Sequence, residues 1–294
     1  MGYRGLFVGL ITLDLIYRVA QLPQANQKIV ALDTVLAAGG PATNAAVAFS
    51  HLGNRATVLG VLGCHPLRSL ISTDLENCGV AIADLQPTHT APPPTSSILV
   101  TAATGERAVV SLKAVKSQAT VDQIPAGILQ GIDVVLIDGH QMAVGEAIAT
   151  QARTLNIPVV VDGGSWKPGF EAVLKQADYG VCSANFFPPG CETEAAVLAY
   201  LNTLGIPHLA ITHGGQPITY CDRGETGTLP VPTIQAVDTL GAGDIFHGAL
   251  CHYLLPARRT AAAFPAALSE AAAIAARACQ SFGTRQWLTQ RHSS

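Results

Sequence analysis

The residues best suited to chemistry lie in one stretch, Asp238-Thr239-Leu240-Gly241-Ala242-Gly243-Asp244-Ile245-Phe246-His247-Gly248. From Ile245 to Leu255 the apolar spacing predicts a mostly buried helix. Gly241, Ala242 and Gly243 then form the turn into its N-terminus. Residues this small let backbone N–H groups converge on one point, where the helix dipole adds partial positive charge. The result is an anion site, suited to a phosphate or to charge that develops during a reaction. Asp244 falls in the first turn. A carboxylate there has two readings: a helix cap, or a base that takes a proton from a hydroxyl attacking a phosphoryl group.

A second small-residue turn stands far upstream, in Ala38-Gly39-Gly40-Pro41-Ala42-Thr43-Asn44. Pro41 suits the first position of a helix that runs to about Leu52, and Gly53 is placed to stop it. Gly39 and Gly40 would let a small ligand approach the backbone. Asn44, in the first turn, either binds that ligand's hydroxyls or satisfies a local backbone group. Asp14 follows an apolar strand expected over Gly5–Leu10. In open α/β sheets ligands bind at the C-terminal ends of strands, so Asp14 reads as a hydroxyl-binding carboxylate or as a loop cap.

These groups need a scaffold. Strands expected over 56–61, 133–137, 158–161, 178–182 and 208–212 alternate with helices over 67–77, 145–155, 170–176 and 193–204. That rhythm means a parallel sheet covered on both faces. A hairpin over 219–229 and an alanine-rich helix over 261–279 follow. Two short strand pairs break the rhythm: Ile16–Val19 with Lys28–Leu32, and Ser97–Thr101 with Arg107–Leu112. Together they suggest a small sheet acting as a lid, drawn from about 12–37 and 95–113. A lid that excludes water suits phosphoryl transfer to a hydroxyl, because water would compete as acceptor. No linker divides residues 1–294, which read as a single domain.

Composition narrows the function further. Of 294 residues, 49% are hydrophobic and 13% charged, so a large core is available, and the net charge of −3 argues against binding nucleic acid or a membrane surface. Asp14 interrupts the N-terminal apolar run too early for a signal peptide. Seven scattered cysteines without a Cys-x-x-Cys pair read as reduced thiols, and a cytoplasmic protein is expected. No glycine is followed by lysine, which excludes a Walker-type phosphate loop.

The two turns resemble, in order and across nearly the whole chain, the signatures of the ribokinase/PfkB family of carbohydrate kinases. Residues 38–46 are similar to its N-terminal motif, and Asp238–Phe246 to its C-terminal one. Val8-Gly9-Leu10 through Leu22-Pro23, and Phe246-His247-Gly248-Ala249, look closest to ketohexokinase, fructokinase and sulfofructose kinase members. The resemblance implies a ribokinase-like three-layer α/β/α domain with a mostly parallel central sheet and a small β-sheet lid. It implies an ATP-dependent kinase that passes the γ-phosphoryl group to a primary hydroxyl of a sugar, a ketose such as fructose or a relative. Magnesium would accompany ATP, and potassium is a candidate activator. Apart from the resemblance, the exposed edges of the two lid strand pairs suggest a homodimer through the lid.

Roles follow residue by residue from the same resemblance. Asp244 matches the catalytic base, with Gly241, Ala242 and Gly243 as the anion hole. Asp14, Gly40 and Asn44 match sugar-binding positions. Arg107, Thr212, Gly214 and Asn185 match nucleotide-binding positions, and Asp238 matches a residue linked to a monovalent cation. Two departures stand out. The family's Thr-x-Gly-x-x-Gly ends here in Pro217. Its Asn-x-x-Glu, linked to magnesium and phosphate, is Asn185-Phe186-Phe187-Pro188, for which Glu192 and Glu194 are the nearest replacements; both also read as ordinary helix-start acids. Three rivals stay open: a nucleoside kinase, a phosphosugar kinase using Arg18, Lys28, Lys113 or Lys116, and a catalytically silent sugar-binding regulator.

Overall fold

The computed structural model describes residues 2–111, 118–257 and 263–289. Leu112, Lys113 and Lys116 of the expected lid, and Ala261 of the last expected helix, lie outside the described residues. In chain order the first strands are β1 (Arg4–Val8), β2 (Thr12–Val19), β3 (Asp33–Gly39), β4 (Arg55–Gly60), β5 (Val80–Asp84), β6 (Thr95–Thr101) and β7 (Arg107–Ser111). They are followed by β8 (Val134–Ile137), β9 (Val159–Gly163), β10 (Tyr179–Ser183), β11 (His208–His213), β12 (Gln216–Asp222) and β13 (Glu225–Leu229). The helices are α1 (Pro41–His51), α2 (Arg68–Asn77), α3 (Met142–Thr154), α4 (Phe170–Leu174), α5 (Glu194–Thr203), α6 (Ala242–Ala257) and α7 (Ala263–Ala278).

Nine strands make one sheet in the order β13-β12-β11-β10-β9-β8-β1-β4-β5. Pairing is parallel from β11 through β5, and β12 and β13 run antiparallel at one edge. Alternate side chains of the same strands serve opposite layers. Phe7, Leu136 and Val160 pack with α1, α6 and α7; Leu6, Val8, Val135 and Val159 pack with α3, α4 and α5. Because both faces are covered, these strands are apolar throughout rather than alternating. The result is the expected three-layer α/β/α architecture. β5 had no counterpart in the sequence reading: it is a short edge strand whose brief apolar run, Val80-Ala81-Ile82-Ala83, carries two alanines of low β propensity. No helix among the described residues is long and apolar enough to cross a membrane.

Four strands form the second sheet, in the order β3-β2-β6-β7. β2 pairs antiparallel with β3 and parallel with β6, and β6 pairs antiparallel with β7. Ile16, Ile98 and Val100 cluster with Phe282. Two expectations are corrected here. The strand placed at Lys28–Leu32 is irregular; the partner of β2 is β3, beginning at Asp33, whose register with β2 runs on to Gly39. Asp14 does not follow β1 at its end. It sits inside β2, opposite Ala37 and Ser96. The physical reason is that Thr12–Val19 continue into a strand directly, so the chain leaves β1 for the small sheet after only three residues.

Candidate active site

α1 and α6 bring the two glycine turns together. They approach closely because Gly248 has no side chain: a Cβ there would fall on the Ala45 carbonyl oxygen. Across this contact Asn44 Nδ2 donates to Asp244 Oδ2 at 2.9 Å. Gly40 caps α1 with φ 102°, and a Cβ on it would meet the Leu10 carbonyl. Asp14 approaches the neighbouring Gly39 so closely that a Cβ on that glycine would overlap its carboxylate. Thr12 Oγ1 donates to Asp14 Oδ1 at 2.8 Å. Burial pushes the Asp14 carboxyl above the usual range, against the hydroxyl donors of Thr12 and Ser96.

The Gly241–Asp244 turn is an open helix start. Gly241 adopts φ 72° and accepts from Ile245 N–H at 2.8 Å. The N–H groups of Gly243 and Asp244 donate to no protein acceptor among the described residues. The half-buried Asp244 beside them is pushed up to about 6. Burial is the main cause, with the Asp162 charge adding to it and the Asn44 donor and His247 opposing it.

A buried acidic floor lies beneath. Asp138, past the end of β8, accepts from Leu10 N–H at 2.9 Å, Ala42 N–H at 3.1 Å and His140 N–H at 2.9 Å. Burial opposes its charge, but His140 and these donors outweigh it and hold the carboxyl below the usual range. Asp162, near the end of β9, is raised by burial despite His247. His247 bridges the floor to the Gly241–Asp244 turn. Its Nδ1 stands 2.7 Å from the Gly243 carbonyl oxygen and 3.5 Å from Asp162 Oδ2, and its Nε2 stands 3.1 Å from the Val181 carbonyl oxygen.

A cavity of about 330 Å³ opens beside Ala242 and Gly243, lined by Thr212, Gly214, Thr239 and Phe246 among mostly apolar groups. Thr212 and Gly214 therefore line the same cavity as Ala242 and Gly243. Gly214 has φ 62° in the turn between β11 and β12, and Pro217 continues as part of β12, so the departure from the family motif is a tight hairpin. Arg107 Nη1 donates to Thr239 Oγ1 at 2.8 Å and to its carbonyl oxygen at 3.2 Å. Asn185 is not among the cavity residues; it lies exposed beyond β10. Glu194 Oε2 accepts from His213 Nε2–H at 2.8 Å, next to Thr212. Asp238 accepts from Leu240 N–H and Gly283 N–H, each at 2.8 Å. A larger groove of about 720 Å³ lies between residues 121–132 and the end of α3, at the N-terminal ends of β8 and β9 and away from this chemistry.

Arg285 had no place in the sequence reading. It donates to Asn44 Oδ1 at 3.1 Å, to the Ala38 carbonyl at 2.6 Å and to the Thr284 carbonyl at 3.1 Å, and pairs with Asp74 at 3.0 Å. The one available signal was a lone arginine between Gly283-Thr284 and Gln286-Trp287 in a segment poor in charge. Asp138 and Asp162 were legible only as polar residues closing apolar strands.

A model described as pfkB family carbohydrate kinase matches residues 5–291. The ribokinase of Bacillus subtilis (strain 168) is 24% identical over 251 residues, covering 82% of each chain. Among solved structures, ribokinase from Giardia lamblia superposes with a TM-score of 0.81 at 18% identity, over 98% of this chain and 97% of that one. Arabidopsis thaliana ribokinase, solved with ribose and ATP, gives 0.77 at 20% identity, over 99% and 100%. At these identities the two structures establish a shared fold.

Proposed function

The chain belongs to the pfkB family of carbohydrate kinases, phosphotransferases with an alcohol group as acceptor, and from that premise we propose that Asp244 is the base that prepares a sugar's primary hydroxyl for attack on the γ-phosphorus of ATP. The observation that carries this is the pairing of a raised carboxylate with unpartnered backbone donors one residue away. A base near the working pH takes a proton most effectively, and donors fixed before the reaction stabilise charge without reorganising. The N–H groups of Gly243 and Asp244 would receive the transferring phosphoryl oxygens. Asp14, Gly40 and Asn44 hold the sugar, and the small sheet of β2, β3, β6 and β7 covers it as a lid within one kinase domain.

The apolar cavity beside Thr212 and Gly214 suits the nucleotide base, and Arg107 stands at its Thr239 wall, placed for the phosphates. Magnesium bound to those phosphates would offset their charge, with Asn185 and the carboxylates of Glu192 and Glu194 as the side chains nearest in sequence to its family position. For potassium, the Asp238 carboxylate offers oxygens beside Gly283, and the neighbouring buried Thr284 hydroxyl has no hydrogen-bond partner among the described residues. Those groups fit a monovalent cation.

The acceptor is an uncharged sugar on this reading. Near Asn44 the reachable guanidinium, Arg285, is committed to protein acceptors and is unavailable for a phosphosugar. Fructose and ribose head the candidates, the first from the ketohexokinase-like flavour and the second from the ribokinase relatives. Leu15, Leu36 and Val110 share one outward row of the lid with Ser97, and Leu36 and Val110 are 50% and 75% exposed, which supports a homodimer closed over that face. ADP release measured over ketoses, aldoses, nucleosides and sugar phosphates is the test. Turnover with a neutral sugar is expected; turnover confined to nucleosides or phosphosugars, or sugar binding with no turnover at all, would overturn the reading. Sedimentation should give a dimer, and a monomer at working concentration would remove the lid interface.

A further inference from the structure

Arg285 lies after α7, far in sequence from Asn44 and Asp244, yet its five N–H bonds are spent within one corner of the acceptor site. Nε donates to Asp74 Oδ2 at 3.1 Å, and Nη2 pairs with the same oxygen at 3.0 Å. Nη2 also donates to the Ala38 carbonyl at 2.6 Å. Nη1 donates to Asn44 Oδ1 and to the Thr284 carbonyl, both at 3.1 Å. Asp74 returns to the same strand end by accepting Ala38 N–H at 2.9 Å. The side chain is only 13% exposed. A planar guanidinium so engaged is a rigid fork.

We propose that Arg285 is a positioning residue for the transfer, orienting the Asn44 amide so that its N–H, and not its oxygen, faces Asp244. An amide has one donor end and one acceptor end, and nothing intrinsic decides which way it points. Arg285 is donor-only. By holding Oδ1 it directs Nδ2 to Asp244 Oδ2, where the 2.9 Å bond fixes one carboxylate oxygen. The other oxygen is then presented to the acceptor hydroxyl. The Ala38 contacts have a second consequence. They fix the end of β3 immediately before Gly39 and Gly40, the glycines that Asp14 and Leu10 approach. One arginine thus sets both the base and the floor on which the sugar lies, and Asp74 on α2 anchors the arginine.

The inference rests on Asp244 being the base, and the test separates the two. Arg285→Met, Arg285→Lys and Asp74→Asn are compared with Asp244→Asn for turnover, for both KM values and for the pH profile of kcat, using the sugar that the wild-type enzyme phosphorylates. Arg285→Met is expected to lower kcat about 30-fold or more while KM for ATP stays within about twofold, a split set by lost orientation rather than lost nucleotide binding. The acid limb of kcat should move to higher pH, because Asp244 loses the donor that opposes its burial while Asp162, Asp138 and His247 stay in place. Arg285→Lys should recover little, since an ammonium cannot hold Asn44, Ala38 and Asp74 together. Guanidinium ion at non-denaturing concentration should restore part of the Arg285→Met turnover. Should Arg285→Met fail to fold, Asp74→Asn is read in the same way, with a smaller effect in the same direction. Wild-type kcat and pH profile in a folded variant would overturn the inference even with Asp244→Asn inactive. Active Asp244→Asn would instead overturn the reading beneath it.

Discussion

The Asn44 side-chain amide donates to Asp244 across 2.9 Å, joining residues 200 positions apart in the chain. Only Oδ2 is used; Oδ1 has no partner among the described residues and is open to a hydroxyl. Asp244→Asn keeps the shape of this corner and removes the ability to take a proton. Turnover is expected to fall about 10²-fold or more, with sugar and ATP still bound. Steady-state kinetics with calorimetric binding checks this, and near wild-type turnover would reduce Asp244 to a helix cap.

The same carboxylate sets the pH dependence. Its pKa is pushed up to about 6 by burial, by Asp162 and by Asp138, against Asn44 and His247. A base acts only when ionised, so kcat/KM should be flat above neutrality and fall about tenfold per pH unit well below pH 6. A profile that stays flat down to pH 4.5 would exclude a raised carboxylate as the base.

Stability should run the other way. Asp244 is harder to ionise in the folded chain than in the unfolded one, where a free aspartate titrates near 3.8. Between about 4 and 6 the native state therefore holds more proton, and stability falls as pH rises through that window. The full shift corresponds to about 3 kcal/mol, and roughly 1–2 kcal/mol after allowing for partial exposure of the group. Asp244→Asn should melt a few degrees above wild type at pH 8 and lose that advantage near pH 4. An inactive variant that is more stable marks a residue kept for chemistry at the expense of the fold. Thermal unfolding at the two pH values decides it.

Much of this was legible because it is local. Gly39-Gly40-Pro41 declares a helix start through the conformational freedom of Gly40 and the fixed φ of proline, and the apolar runs of β1, β8, β9, β10 and β11 declare a sheet buried on both sides. Asp14 was read as following the first strand, not as part of β2, because its place depends on a sheet whose pairing is set at long range: nothing near Asp14 shows that Ala37 and Ser96 will flank it. Arg285 and His247 escaped for a related reason. Each acts on backbone carbonyls, at Ala38, Thr284, Gly243 and Val181, which carry no side-chain signature. The strand assigned to Lys28–Leu32 shows the converse failure, since β-type residues do not make a strand without a partner in register.

Two glycines allow the acceptor side and the base to be disturbed separately. A Cβ at Gly39 would overlap the Asp14 carboxylate, and one at Gly248 would overlap the Ala45 carbonyl. Gly39 is extended enough to sit in β3, so Gly39→Ala meets a side-chain obstacle that can rotate away. Its expected effect is a higher KM for the sugar, about tenfold if one charge-assisted hydroxyl contact is lost, with KM for ATP unchanged. Gly248→Ala meets backbone, which cannot rotate. α6 must then move off α1, at a cost of about 1–3 kcal/mol for overpacking, and Asp244 moves with it away from Asn44. That variant should melt lower and lose kcat, with the sugar's KM less affected than in Gly39→Ala. Kinetics and thermal unfolding on the two variants side by side check the distinction: equal effects on both KM and kcat from the two substitutions would mean that α1, α6 and the small sheet respond as one unit and that the site has no separable acceptor floor.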